Sequence, residues 1–309
     1  MKDAQEPPPQ NPTPAAEWDR DLSRRALDEL FRLAGEYKTT KQYRELLKFV
    51  GRFRSYSPYN AMLIHTQMPG AIYVAPPHRW LGQYRRRINP GARPLVILQP
   101  MGPVMFVFDV SDTEPEQDAP PLPPEIERPF EIRRGQVRGE LWGTIENAKR
   151  DGVRINTRDA GSQDAGEIRE AEGEKYLAFQ VKWRPEPEYI SVRVRYELLL
   201  NSKLSLEANY ATLVHELGHL YCGHLGTPNL KWWPNRQSLM PELCEFEAES
   251  VCYLLCQRLG IDNPSAEYLS QYMGNHKETP AISLECVIKS AGLIEQMGRE
   301  RLKPRKEKE

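Results

Sequence analysis

The stretch Ala211-Thr212-Leu213-Val214-His215-Glu216-Leu217-Gly218-His219-Leu220-Tyr221 constrains this chain more than any other, because it carries the pattern H-E-x-x-H. On a helix, residues four apart share a face, so His215 and His219 can present two imidazoles to one cation. Glu216 lies beside them, placed to polarise a water on that cation. Tyr210, Leu213, Val214, Leu217 and Leu220 recur at helical spacing, which predicts a buried helix with one chemical edge. The plain alternative is a core helix that happens to hold two histidines.

A second stretch counts against that alternative. A hydrolytic zinc takes three protein ligands and keeps one position open. Downstream, Pro241 suits the first position of a helix and Gly260 its end, with Ala248, Val251, Cys252, Leu255 and Leu259 as the core stripe. Glu245 and Glu249 are four apart on a neighbouring face. One can bind the cation and the other can hold a ligand histidine from behind. Acidic residues in a helix ordinarily make a solvated face, but this helix is otherwise apolar. His224 falls five residues after His219 and reads as a helix-end residue, because the elongated pattern with a third histidine needs it six residues on, after a glycine.

His215-Glu216-Leu217-Gly218-His219 followed by Glu245-x-Glu247-Ala248-Glu249 resembles the ImmA/IrrE-type zinc metallopeptidases, which are gluzincin-like. That resemblance implies one Zn²⁺ per chain on His215, His219 and Glu245, with Glu216 as general base. Glu249 would stand one turn after the ligand glutamate, behind the first ligands, and Glu247 would be the ligand in a shifted register.

The rest of the chain is read from composition and punctuation. Its 309 residues suggest two domains, and a net charge of −1 with 39% hydrophobic and 28% charged residues is ordinary for a soluble protein. No apolar run is long enough for a membrane span and no apolar signal core stands at the start, so a cytoplasmic protein is expected. The five cysteines, without a C-x-x-C pair, read as reduced thiols.

Residues 1–16 are rich in proline and glutamine and are expected to be a disordered leader. Residues 17–110 read as one small module: three helices, around Leu22 to Leu33, Tyr43 to Phe53 and after Ser57-Pro58, then β-like runs at Ile72-Tyr73-Val74, Leu95 to Leu98 and Val104 to Phe108. Residues 20–110 hold 15 Lys and Arg against 6 Asp and Glu, so this part is basic while the whole chain is slightly acidic. Such asymmetry points to a polyanion partner. Arg52, Arg54, Arg85, Arg86 and Arg87, interleaved with Tyr56 and Trp80, suit single-stranded DNA, with cations on phosphates and rings on bases. A solvated basic face over an aromatic core is the alternative.

Phe53-x-Ser55-Tyr56-Ser57-x-x-Asn60-x-x-Leu63-Ile64-x-x-Gln67-x-Pro69-x-Ala71, then Trp80, Gly91-x-x-Pro94-Leu95-x-Ile97-Leu98-x-Pro100 and Val107-Phe108-Asp109-Val110-Ser111-x-Thr113-Glu114, resembles the N-terminal single-stranded-DNA-binding domain of ArdC-like antirestriction proteins. The resemblance implies a DNA-binding role that includes Asn60, and a following zinc peptidase domain. The chain departs from it at Tyr84-Arg85-Arg86-Arg87, where relatives usually carry a glycine-containing turn.

Residues 111–128, acidic and proline-rich, are expected to be a stiff linker. Residues 129–298 form the expected zincin-like metallopeptidase domain: a helix between Gly143 and Gly152, a strand at Val153-Arg154-Ile155, a loop over 158–174 and a strand from Tyr189 to Tyr196 bordering the cleft. Trp232-Trp233-Pro234 reads as a loop near the cleft rim, and 299–309 as a frayed charged tail. The expectation is thus an α+β chain: a small helix-plus-sheet nucleic-acid-binding module followed by a zinc peptidase domain with a protein or peptide substrate.

Overall fold

The structure, a computed structural model, describes residues 40–99, 102–122, 136–159, 166–182, 185–262, 265, 269 and 280–305. The expected leader, the helix around Leu22 to Leu33, residues 123–135, the segment around Tyr268 and Tyr272 and residues 306–309 lie outside them. The chain is α+β, with helices and several small sheets. Among the described residues no helix is long and apolar enough to cross a membrane.

In chain order the elements are α1 (Thr40–Arg52), α2 (Pro58–Gln67), β1 (Val74–Ala75), α3 (Pro77–Tyr84), β2 (Arg86–Ile88), β3 (Leu95–Gln99), β4 (Gly102–Asp109) and β5 (Thr113–Pro115). Then follow α4 (Glu140–Ala148), β6 (Val153–Arg158), β7 (Gly166–Glu170), β8 (Tyr176–Lys182), β9 (Glu188–Arg193), β10 (Tyr196–Asn201), α5 (Leu206–Tyr221), α6 (Pro241–Leu259) and α7 (Leu284–Arg299). Contacts divide the described residues into two compact units, 63–122 and 40–62 with 136–305. The sequence places 17–110 in one module, whereas the contacts divide inside α2 and give α1 to the larger unit.

The reason is an arginine. Tyr43, Leu46, Leu47 and Val50 make the buried stripe of α1, and Tyr43 meets Phe246 of α6 at 5.7 Å. The last carbonyls of a helix need partners from outside it. Arg258 of α6, buried, donates to the carbonyls of Val50 at 2.8 Å, Phe53 at 3.1 Å and Tyr56 at 2.5 Å. Its Nε reaches Glu295 of α7 at 2.6 Å. One guanidinium thus fastens the end of α1 between two helices of the larger unit.

In the smaller unit the sheet order is β1-β4-β3, all antiparallel, and β2 pairs with β5. Its centre is the buried Asp109, whose carboxylate accepts from the backbone N–H groups of Ile72, Tyr73 and Ser111 and from the Ser111 hydroxyl. The Asp109-Val110-Ser111-x-Thr113 run is therefore a turn that returns the chain from β4 to β5. Residues 113–115, expected in the linker, are a strand instead, because they complete β2. Arg85 closes α3 with φ 48° and ψ 48°, the left-handed region that glycine favours. The one departure from the ArdC-like pattern falls at that position.

In the larger unit β10 pairs in parallel with β6 and antiparallel with β7, so β7 is an edge. The loop expected over 158–174 thus contains a strand. The strand expected from Tyr189 to Tyr196 is broken in two, because Arg195 and Tyr196 turn their N–H groups to the carbonyl of Gly152. β9 pairs with β8 rather than bordering the site. The tail expected to fray is docked as far as Arg305. Leu302 N donates to Asn147 Oδ1, and Arg305 bonds the buried Asp151, which also accepts from Tyr221. Arg195 and Arg305 both lie over the Trp232 ring, and buried Trp233 donates to Gly226 O, so the paired tryptophans pack.

Arg258→Met removes the clamp and leaves Glu295 and three carbonyls without that donor. The expected cost is about 3 kcal/mol or more, seen in thermal unfolding as a drop of roughly 6–12 °C. An unchanged melting temperature contradicts this account of why α1 belongs to the larger unit.

Candidate metal centre

α5 begins at Ser205, whose hydroxyl accepts from Ala208 N, and carries Glu207 in its first turn. Pro241 opens α6 and Gly260 ends it in the left-handed conformation (φ 74°), as the sequence predicts. The two helices approach closely where Gly218 faces Ala248, since a Cβ on Gly218 would lie 3.3 Å from the Ala248 Cα.

Across that contact three predicted ligands converge. His215 Nε2 and His219 Nε2 are 3.2 Å apart, Glu245 Oε2 is 3.6 Å from the first and Glu245 Oε1 is 3.5 Å from the second. His215, His219 and Glu245 form a group able to hold a metal ion. Tetrahedral zinc with bonds of roughly 2.0–2.2 Å keeps its donor atoms roughly 3.3–3.6 Å apart; the two imidazole nitrogens are close to that separation, each lies about that far from one Glu245 oxygen, and two imidazoles with a carboxylate are a donor set that suits zinc.

Glu249 Oε1 lies 3.7 Å from His215 Nδ1, on the far side of that ring. Its Oε2 is buried and lacks a hydrogen-bond partner among the described residues. Glu247 is not brought to the three. It is fully buried and faces the other way, accepting from Arg236 Nη1 at 2.5 Å, Arg236 Nη2 at 2.7 Å and Ser283 N at 2.7 Å. His224 Nε2 meets Glu247 Oε2 at 2.9 Å, and His224 Nδ1 meets His219 Nδ1 at 3.0 Å. His224 is thus more than a helix-end residue. Gly223 makes this possible: it turns at φ 85°, where a Cβ would strike the Pro234 carbonyl oxygen, and its own carbonyl accepts from Arg236 N.

Glu216 points to the edge strand. Its Oε2 accepts from Ile168 N of β7 at 3.0 Å. Burial raises its carboxyl above the usual range, against the pull of His215, His219 and that amide. Burial works to lower His215, but the Glu245 carboxylate, with Glu249 and Glu216, overcomes it and pushes the ring up to about 9. His215 first, and then His219, beside its carboxylate, hold Glu245 far below the usual carboxylate range. Burial lowers His224. Burial alone would raise Glu247, yet His224 and Arg236 bring it below its ordinary value.

The residues expected at DNA are distributed over both units. Arg54, Tyr56 and Asn60 lie in the larger, and Trp80, Arg85, Arg86 and Arg87 in the smaller. The Arg52 side chain lies outside what the structure describes. Trp80 is fully buried and donates to the Phe108 carbonyl, so it is a core residue and is closed to base stacking. Arg86 is spent on Thr113, with bonds to its hydroxyl and its carbonyl. Arg87 and Arg85 face Glu116, and Arg54 donates to Gln257 O. Tyr56 and Asn60 are half-buried, and Asn60 N is capped by the Ser57 hydroxyl. Among these arginines, Arg85 and Arg87 thus share one carboxylate while their own side chains stay exposed.

No family model matches the chain, and no curated protein matches it. Among solved structures, the metal-free crystal structure of the antirestriction ArdC protein from the R388 plasmid aligns with 78% of this chain and 81% of its own, at 14% identity and a TM-score of 0.30. At that score the alignment bears no weight for fold or activity.

Because His215 stays protonated up to about pH 9, loading a cation has to displace its proton. The folded value lies above the ordinary 6.5. The stability His215 contributes is therefore complete below 6.5 and is lost as the pH rises through 9. Chelator-treated protein should melt progressively lower across that window. Zinc titrated in at about pH 7.5 should release about one proton per ion, measured by calorimetry in buffers of different ionisation enthalpy. Zinc uptake without proton release contradicts the assignment.

Proposed function

We propose that this chain is a zinc-dependent peptide hydrolase. One observation carries the reading: two imidazole nitrogens and a carboxylate converge closely enough to share one ion, with a half-buried glutamate of raised pKa beside them. The resemblance of His215-Glu216-x-x-His219 and Glu245 to the ImmA/IrrE-type metallopeptidases points the same way. His215, His219 and Glu245 would hold Zn²⁺, which would supply Lewis acidity for a carbonyl and a bound water.

The chain's own residues do the rest. Ile168 N–H holds one oxygen of Glu216, leaving Oε1 to accept the proton of the attacking water. The same carboxyl then hands that proton to the leaving amine. Its pKa, raised above the usual carboxylate range by burial, makes it a better proton acceptor than an ordinary carboxylate. Among the described residues β7 is an edge strand, and its Ile168 amide, engaged by Glu216, brings that edge to the site. An extended peptide can add to such an edge by backbone hydrogen bonds, which favours a protein or peptide substrate.

Glu216→Gln keeps the shape and removes the base. It should lower peptide cleavage by about 100-fold or more while zinc content, measured by mass spectrometry, stays at the wild-type level. Wild-type protein that holds zinc yet cleaves no member of a peptide library would make the zinc structural and overturn this reading.

A further inference from the structure

We propose that His224 is a positioning residue of this centre: it decides which nitrogen of His219 carries a proton, and so keeps His219 Nε2 free for the cation. The inference rests on the reading of His215, His219 and Glu245 as a zinc site, and it deepens that reading.

The polarity follows from one end of the chain of contacts. The Glu247 carboxylate accepts hydrogen bonds and donates none. Arg236 grips both its oxygens, at 2.5 and 2.7 Å, and the Ser283 amide holds Oε1 at 2.7 Å. His224 Nε2, 2.9 Å from Glu247 Oε2, must therefore be the donor. A neutral imidazole with its proton on Nε2 has only a lone pair on Nδ1. That lone pair faces His219 Nδ1 at 3.0 Å, so His219 must donate from Nδ1. Its Nε2 is then the bare nitrogen, and it points at His215 Nε2 and Glu245 Oε1. Arg236, Glu247, His224 and His219 thus form one directional relay from a buried ion pair to a ligand atom.

The two ligand histidines are backed differently. His215 Nδ1 faces Glu249 directly, at 3.7 Å. His219 reaches its carboxylate through a second imidazole. Partners of this kind fix a ligand's tautomer and ring plane, and their loss costs about 10–100-fold in metal affinity. Glutamine carries an acceptor and a donor side by side on one planar group, as the neutral ring does. It can stand between His219 Nδ1 and Glu247, and leucine cannot.

The test is a zinc titration against a competing chelator, on full-length wild type, His224→Leu and His224→Gln, with melting curves for each. The expected result is zinc affinity about 10–100-fold weaker for His224→Leu and close to wild type for His224→Gln. Wild-type affinity in both variants overturns the inference and leaves the zinc site standing. So does equal weakening in both with the fold intact. Wild type that takes up no zinc overturns the zinc site and the inference together. Should His224→Leu not fold, ¹⁵N-histidine spectra of the zinc-loaded wild type decide. A proton on His219 Nδ1 upholds the relay, and a proton on Nε2 with Nδ1 as ligand overturns it.

Discussion

The close approach of α5 and α6 is the constraint on which the centre depends. Gly218 suits it, because a Cβ there would lie 3.3 Å from the Ala248 Cα, tight enough that the neighbouring helix would have to give by a few tenths of an ångström. Gly218 lies one position before His219, and Ala248 lies between Glu247 and Glu249, so the contact sits in the middle of the chemistry. With the helices held at that distance, α6 sends its acids in different directions. Glu245 and Glu249 are one turn apart on the face toward α5 and meet opposite edges of the His215 ring. Glu247, two positions from each, falls on another side of the helix. There it is buried against Arg236, where a lone carboxylate would be costly. The same helix thus carries the candidate ligand Glu245, with Glu249 beside the His215 ring and Glu247 beside His224.

Away from the centre, each unit is held by its own buried polar anchors, which satisfy backbone groups or tie side chains together. Arg258 takes the carbonyls at the end of α1, Asp109 takes the amides at the turn after β4, and Asp151 ties the C-terminal segment through Arg305 and Tyr221. Buried charges persist where several hydrogen bonds satisfy them. Each anchor joins segments distant in sequence, which is why the unit boundary and the docked tail escape a reading along the chain.

What the sequence disclosed follows the same line between local and distant. The helix bearing His215, Glu216 and His219, the ends of α6 at Pro241 and Gly260, and the pairing of Glu245 with Glu249 depend on spacing within one helix, and spacing is written in the chain. Helical period puts Glu247 on another side of α6 from Glu245 and Glu249, but which side meets α5 is set by packing that is not written in the spacing. His224 and Arg236 were illegible, because their meeting depends on the turn at Gly223 and the course of a loop. The DNA expectation failed at Trp80 for a related reason. Arginine and aromatic residues in sequence have the same composition whether they form an open face or, as at Trp80, Arg86 and Thr113, an internal network. β7 was hidden because the Gly- and acid-rich stretch around it has no alternating pattern strong enough to mark an edge strand.

The measurement that tests the central claim most directly is metal content by mass spectrometry for wild type, His215→Ala and Glu245→Ala, each exposed to zinc and then desalted. The account predicts about one zinc per chain in the wild type and its loss in both variants. Zinc retained by Glu245→Ala, or absent from the wild type, would contradict the three-ligand centre.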